Sequence, residues 1–62
     1  MNEYIFEIEY SDGSIEEYRT CAVNKFMAYE LLTEYLVDFD IDPKTVIVNV
    51  IDVVEILEEE ND

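Results

Sequence analysis

Apolar and acidic side chains alternate along residues 3–10. One side of this stretch is apolar or aromatic, and it comprises Tyr4, Phe6, Ile8 and Tyr10. The other side is mainly acidic, and it comprises Glu3, Ile5, Glu7 and Glu9. Alternation with a period of two is typical of a strand that is buried on one face. We therefore predict a first β-strand over this stretch.

A hairpin signal follows the first strand. The dipeptide Asp12-Gly13 lies between two segments of alternating pattern, which favours a tight turn. The second strand is predicted over residues 14–21, and the length of the loop decides its register. A two-residue loop would pair Tyr10 with Ile15 and would turn two charged side chains toward the core.

A three-residue loop removes that conflict. With Gly13 in the left-handed conformation, Glu17 and Arg19 both lie outside the core. We favour this register, because a slip of one residue would reverse the facing of every side chain in the strand. The residues that it pairs are Phe6 with Tyr18 and Tyr4 with Thr20.

A helix is predicted over residues 25–38, which contain no Gly or Pro. Asn24 is a suitable N-cap. A stripe at helical spacing should lie on the sheet, and it comprises Ala28, Leu31, Leu32, Tyr35, Leu36 and Phe39. Glu30, Glu34 and Asp38 recur every four residues and form one acidic line on the helix surface.

The last element is a long β-branched run over residues 45–57, which begins after the turn at Pro43. Helix is the competing interpretation beyond Ile51, but β-branching favours a strand. We expect the acidic tail at residues 58–62 to be disordered.

These elements predict one α+β domain over residues 1–57 with the order β-β-α-β. A right-handed return would place the third strand beside the first, which gives a three-stranded antiparallel sheet of order 2-1-3. The single helix should pack on one face of that sheet. The opposite face would carry a possible apolar interface among acidic residues, comprising Ile5, Ile15, Ile47, Ile51 and Val53.

The net charge changes the functional picture. Seventeen Asp and Glu face three Lys and Arg, so the formal net charge is −14 among 62 residues. Proteins that bind nucleic acid or anionic membranes directly need the opposite sign. We therefore expect a basic protein surface as the partner, and neither direct nucleic-acid nor membrane binding.

The chain offers little to catalysis, and we predict that it is not an enzyme. It contains no His, and Cys21 has no base to activate it. The acidic triplet at 38, 40 and 42 has the spacing that opens a calcium loop, but Pro43 and Asn49 stand where the loop needs Gly and Glu. We predict no catalytic residue, metal site or cofactor, and a cytoplasmic location.

The acidic surface is the predicted partner-binding site. Carboxylates spaced by about 6–7 Å on a strand or a helix can imitate a nucleic-acid backbone and pair with Arg and Lys of a protein that binds DNA or RNA. The first surface is the helix line of Glu30, Glu34 and Asp38. The second surface comprises Glu7, Glu9, Glu16 and Glu17.

In size, charge and β-β-α-β order the chain is broadly similar to small acidic inhibitors from phages and mobile elements. Those classes are anti-restriction proteins, anti-CRISPR proteins and uracil-DNA glycosylase inhibitors. The resemblance implies a DNA mimic that occludes a nucleic-acid-acting host enzyme, and it carries over no individual residue. Two alternatives remain: a structural or assembly protein that forms a homodimer through the open apolar sheet face or an edge strand, and an antitoxin-like partner of one basic protein.

Overall fold

The computed structural model describes residues 1–57, so the predicted disordered tail lies outside the described residues. Five elements follow one another along the chain: β1 (Asn2–Glu9), β2 (Ile15–Ala22), α1 (Lys25–Asp38), a short 3-10 helix (Pro43–Thr45) and β3 (Ile47–Glu55). The strands form one antiparallel sheet of order β2-β1-β3, and α1 packs on one of its faces. The predicted α+β class, strand order and single helix are confirmed.

The β1–β2 hairpin has the three-residue loop. Gly13 adopts a φ of +88°, and the amide of Tyr10 donates to the carbonyl of Ser14 at 2.8 Å. This left-handed conformation favours glycine, because a Cβ would be strained there. The predicted pairs are confirmed: Phe6 lies opposite Tyr18, and Tyr4 lies opposite Thr20.

The helix begins at its predicted N-cap. The side chain of Asn24 accepts a hydrogen bond from the amide of Met27 at 2.9 Å, which satisfies one free donor of the first turn. Its buried residues are Ala28, Leu32 and Leu36, which follow each other at intervals of four. This stripe is narrower than the predicted one, since one sheet touches only one side of the helix: Leu31 and Phe39 are exposed.

A residue in the left-handed conformation follows the C-cap of the helix. Asp40 has a φ of +58°, its amide donates to Val37 at 3.0 Å, and the amide of Ile41 donates to Leu36 at 2.9 Å. This pair of bonds is the Schellman motif, in which the residue after the C-cap turns the chain back over the last helical turn. Ile41 then packs against the core, an apolar contact that frequently accompanies this motif.

The core lies between α1 and the helix-facing side of the sheet. Its largest fully buried side chains are Phe6, Ile8, Leu32 and Leu36. Aromatic rings close its flank: the ring centroids of Phe6 and Tyr29 lie 5.1 Å apart, and those of Tyr18 and Tyr35 lie 4.7 Å apart. Within the described residues, no helix is both long and apolar enough to cross a membrane.

A β-bulge interrupts the pairing of β1 with β3. Phe6 lies opposite Val50, but Ile5 lies opposite Asp52, so Ile51 is the extra residue. Past this point Val53 lies opposite Tyr4, a core residue on the helix-facing side. The prediction that Val53 shares the opposite face is therefore wrong. A bulge shifts the alternation by one residue, and the sequence shows no Gly or Pro to mark it.

Candidate protein-binding surfaces

The open face is the side of the sheet opposite α1. Residues that pair across neighbouring strands project from the same side, so they form rows in the order β2, β1, β3. Successive rows lie about 6.8 Å apart along the strands. The four rows of the open face are Ile15, Glu9 and Ile47; Glu17, Glu7 and Asn49; Arg19, Ile5 and Asp52; and Cys21, Glu3 and Val54.

The row nearest the hairpin loop places a carboxylate between two apolar side chains. Glu9 pairs with Ile15 on one side and with Ile47 on the other. Ile15 is 61% exposed and Ile47 is 59% exposed. These two isoleucines, which the sequence predicted as interface residues, therefore offer apolar surface on either side of a negative charge.

The second row brings two carboxylates together. Glu7 and Glu17 lie directly opposite each other, an arrangement of like charges that destabilises a sheet. The Nε atom of Arg19 lies 2.6 Å from the carboxylate of Glu17, and both side chains are exposed. An exposed pair of this kind contributes at most about 1 kcal/mol. Glu7 has no cationic partner within residues 1–57.

The third row has an apolar centre. Ile5 is only 8% exposed, so it supports the open face but presents almost no surface for docking. Arg19 and Asp52 flank it on the neighbouring strands. The bulge adds Ile51 to this part of the face, because the two bulged residues oppose a single residue of β1 and point the same way. Ile51 is half exposed.

Glu16 is separated from the other acids of its predicted surface. It lies opposite Ile8 on the helix-facing side of the sheet and is half-buried. Its carboxylate accepts hydrogen bonds from the hydroxyls of Tyr10 and Tyr35, the latter at 2.9 Å. The bond to Glu16, with burial, raises the pKa of Tyr10 to about 12. The same causes raise the pKa of Tyr35.

The predicted helix line forms a separate acidic surface. Glu30, Glu34 and Asp38 are all exposed. Each follows a member of the buried stripe by two residues, which places it about 200° around the helix axis. The line therefore points away from the sheet, and a flat partner cannot contact it together with the open face.

Two further features complete the described surface. Cys21 is a free, exposed thiol in the fourth row of the open face. Within residues 1–57 there is no pocket, and no three metal-ligating side chains lie close enough to hold an ion. The surfaces that remain carry carboxylates beside aliphatic side chains.

The acidic residues far outnumber their internal partners. Four of the seventeen acids lie at 58–62, which leaves thirteen in the described residues. Arg19 with Glu17 is the only ion pair found among these residues. No family model, curated protein or solved structure matches this chain.

Six residues of the open face were not among the sequence-predicted site residues: Glu3, Arg19, Cys21, Asn49, Asp52 and Val54. Glu3 shares the parity of Glu7 and Glu9, so the alternation of β1 already indicated its side. Asp52 and Val54 had no such signal, because their facing depends on the bulge. The completed face carries five carboxylates and one guanidinium.

Proposed function

We propose that this chain is a small acidic binding module that docks through its open face on the basic, nucleic-acid-contacting surface of another protein and occludes it. The supporting observation is the arrangement of one face. It joins three acids of the predicted second surface, Glu7, Glu9 and Glu17, to the exposed isoleucines Ile15, Ile47 and Ile51.

That arrangement fits the general anatomy of a protein interface. Interfaces combine a desolvated apolar part with polar groups that find partners across the contact. Here the isoleucines supply the apolar part, and Glu7 and Glu9 supply charges along the rigid central strand. Arg and Lys side chains of a partner would relieve the repulsion between Glu7 and Glu17. Charge of this kind accelerates association and selects against acidic partners.

The partner class follows from the charge and from the spacing of the carboxylates. Glu3, Glu7 and Glu9 line one strand at multiples of about 6.8 Å, and a surface that binds nucleic acid presents cations to a similar row of phosphates. We propose a nuclease, glycosylase or other nucleic-acid enzyme of a host cytoplasm as the target, and binding rather than catalysis as the activity.

The experiment is a pull-down from host lysate with two matched charge-reversal variants. Glu7→Lys with Glu9→Lys reverses two charges on the open face, and Glu30→Lys with Glu34→Lys reverses two on the helix line. Both variants change the net charge equally. We expect the unmodified chain to recover a nucleic-acid enzyme at about 0.15 M salt and to lose it at about 1 M, where the screening length falls to about 3 Å. The open-face variant should lose the target, and the helix-line variant should keep it.

Two other results would contradict the proposal. Loss of the target with the helix-line variant alone would transfer the site to Glu30, Glu34 and Asp38. A recovered partner that binds equally at both salt concentrations and does not act on nucleic acid would exclude occlusion by charge. Face-to-face homodimerisation is disfavoured, since each open face brings five carboxylates and a single Arg19 to the contact.

A further inference from the structure

Strand β3 has a free edge. In the order β2-β1-β3 it lies at the border of the sheet, with β1 on one side only. The amide of Tyr10 donates to the carbonyl of Ser14, so Tyr10 and every second residue before it direct their backbone groups toward β2. Glu9 and Glu7 lie between them and therefore bond to β3, opposite Ile47 and Asn49. In an antiparallel ladder the intervening residues bond to the other side. The backbone groups of Val48 and Val50 consequently point outward.

Beyond the bulge at Ile51, the same edge of β3 is not free to pair with another strand. The amide of Ile56 donates to the carbonyl of Met1 at 3.1 Å, which by alternation turns the amide of Val53 outward. Asp52 accepts a hydrogen bond from that amide at 2.8 Å through its own side chain. The bulge at Ile51 adds a local twist, and bulges and charges are both devices that prevent strand addition. The free part of the edge is therefore Ile47–Ile51.

This free part is the least charged surface of the strands. Residues 46–51 include no charged side chain, although the whole chain has a net charge of −14. Its apolar side chains occur on both sides of the sheet: Ile47 and Ile51 on the open face, and Val48 and Val50 on the helix-facing side. Two copies can approach through this edge without bringing their acidic rows into contact.

We propose that a second copy of this chain pairs with the free edge of β3, antiparallel and about a two-fold axis at Asn49. Val48 of each copy then exchanges hydrogen bonds with Val50 of the other, which uses every outward backbone group of the free edge. Ile47 pairs with Ile51 of the second copy on the open face. Shifting the register by one residue would pair side chains from opposite faces. The result is a six-stranded sheet with two open faces side by side.

The pairing does not rest on the proposed function, and salt separates the two. Docking on a basic partner weakens as salt rises. Pairing of two acidic copies strengthens as salt rises, because screening reduces the repulsion between their distant charges. Sedimentation of the purified chain should show a larger dimer fraction at about 1 M salt than at about 0.05 M.

A disulfide test locates the axis. In a Cys21→Ser background, Asn49→Cys places two thiols at a pair of residues without mutual hydrogen bonds, where Cα atoms lie about 4.5 Å apart, within the range of a disulfide. In the Ile47→Cys variant each thiol lies opposite Ile51 of the second copy. The two thiols are therefore four residues apart along the strands, about 13 Å. We expect oxidised Asn49→Cys to form a covalent dimer at least tenfold faster than Ile47→Cys.

Both sites are on the exposed open face, and circular dichroism confirms that each variant is folded. Equal rates of cross-linking for the two cysteine variants would overturn the proposed axis. An unmodified chain that stays monomeric at every salt concentration would overturn the pairing itself.

Discussion

Three elements meet at the carboxylate of Glu16. Tyr10 follows β1, Glu16 belongs to β2, and Tyr35 belongs to α1, nineteen positions further along the chain. One acidic side chain thus ties the hairpin to the helix. The sequence predicted Glu16 as a partner-binding acid, since a regular pattern of carboxylates contains no sign that one of them accepts internal hydrogen bonds. Such a role depends on tertiary placement, which local spacing does not reveal.

The hydrogen bond at Tyr10 predicts a loss of stability in alkali. The folded pKa is about 12, whereas the ordinary value is 10.0. Between these pH values the unfolded chain has lost the phenolic proton and the folded chain keeps it, so the free energy of unfolding falls as pH rises. The fall begins near the lower value and is complete above the higher one.

Urea denaturation at increasing pH measures this effect. Glu16→Gln removes the charge that holds the proton, so the decline in unfolding free energy above about pH 10 should become shallower. Glu17→Gln is the control, because it removes the same charge from the next residue, which bonds to Arg19 and to no tyrosine. An equal response of both variants would show that Glu16 has no special part in the alkaline transition.

The residue that follows the C-cap of α1 has an energetically costly backbone conformation. Asp40 adopts a positive φ at the position where glycine is preferred, and its negative charge lies near the negative end of the helix dipole. We predict that Asp40→Gly raises the free energy of unfolding by about 1 kcal/mol. Asp40→Asn removes only the charge, so in chemical denaturation it should recover a smaller part of that gain. A Gly variant no more stable than the Asn variant would mean that the backbone cost is negligible.

At the scale of elements, the hairpin and the start of α1 followed from local signals. Gly13 and the charged pair Glu17 and Arg19 decided the register, because only one loop length keeps both charges outside. Asn24 marked the helix start through a bond to its own neighbourhood, at Met27. The width of the buried stripe did not follow, because it depends on how much of the helix a three-stranded sheet can cover.

Local signals could not predict on which side of the sheet the residues of β3 beyond Val50 lie. Every residue from 46 to 51 except Asn49 is β-branched and apolar, so either side of the strand satisfies the pattern. The extra residue at Ile51 is defined only by pairing with β1. This is why Val53 was predicted on the wrong face.

Two deletions test the bulge. Removing Ile51 leaves Val50, Asp52 and Val53 in strict alternation, so the core contacts on both sides of it survive. Removing Glu17 from β2, which pairs with β1 without a bulge, forces the residues on one side of the deletion to the opposite face, so either Glu16 or Tyr18 leaves the helix-facing side. We predict that the Glu17 deletion destabilises the chain by at least about 2 kcal/mol more than the Ile51 deletion. Thermal denaturation of both variants measures the difference, and equal stabilities would contradict the bulge.

At the scale of the whole molecule, repulsion among the acidic side chains opposes the folding that burial of the apolar core favours. Three basic residues face seventeen acids, and the described residues include one ion pair. The sum of this repulsion is long-ranged and is weakened by salt. The sign and size of the imbalance were available from composition. The separation of the acids into an open face, a helix line and the internal Glu16 was not, since it required the sheet facing and the tertiary contacts.

Repulsion along the helix line gives the last prediction. Glu34 lies four residues from both Glu30 and Asp38, so the line contains two like-charge pairs, each destabilising by about 0.2–0.5 kcal/mol. Glu34→Lys converts both into attractive pairs and should raise the free energy of unfolding by about 1 kcal/mol at low salt.

Glu9→Lys is the control, because it makes the same change in net charge at a position without helical neighbours. If general repulsion dominates, the two variants gain equally in chemical denaturation; if the local line dominates, Glu34→Lys gains more. In either case the gain should shrink near 1 M salt, where the screening length is about 3 Å. A gain that persists there would have to come from helix propensity or packing and not from charge.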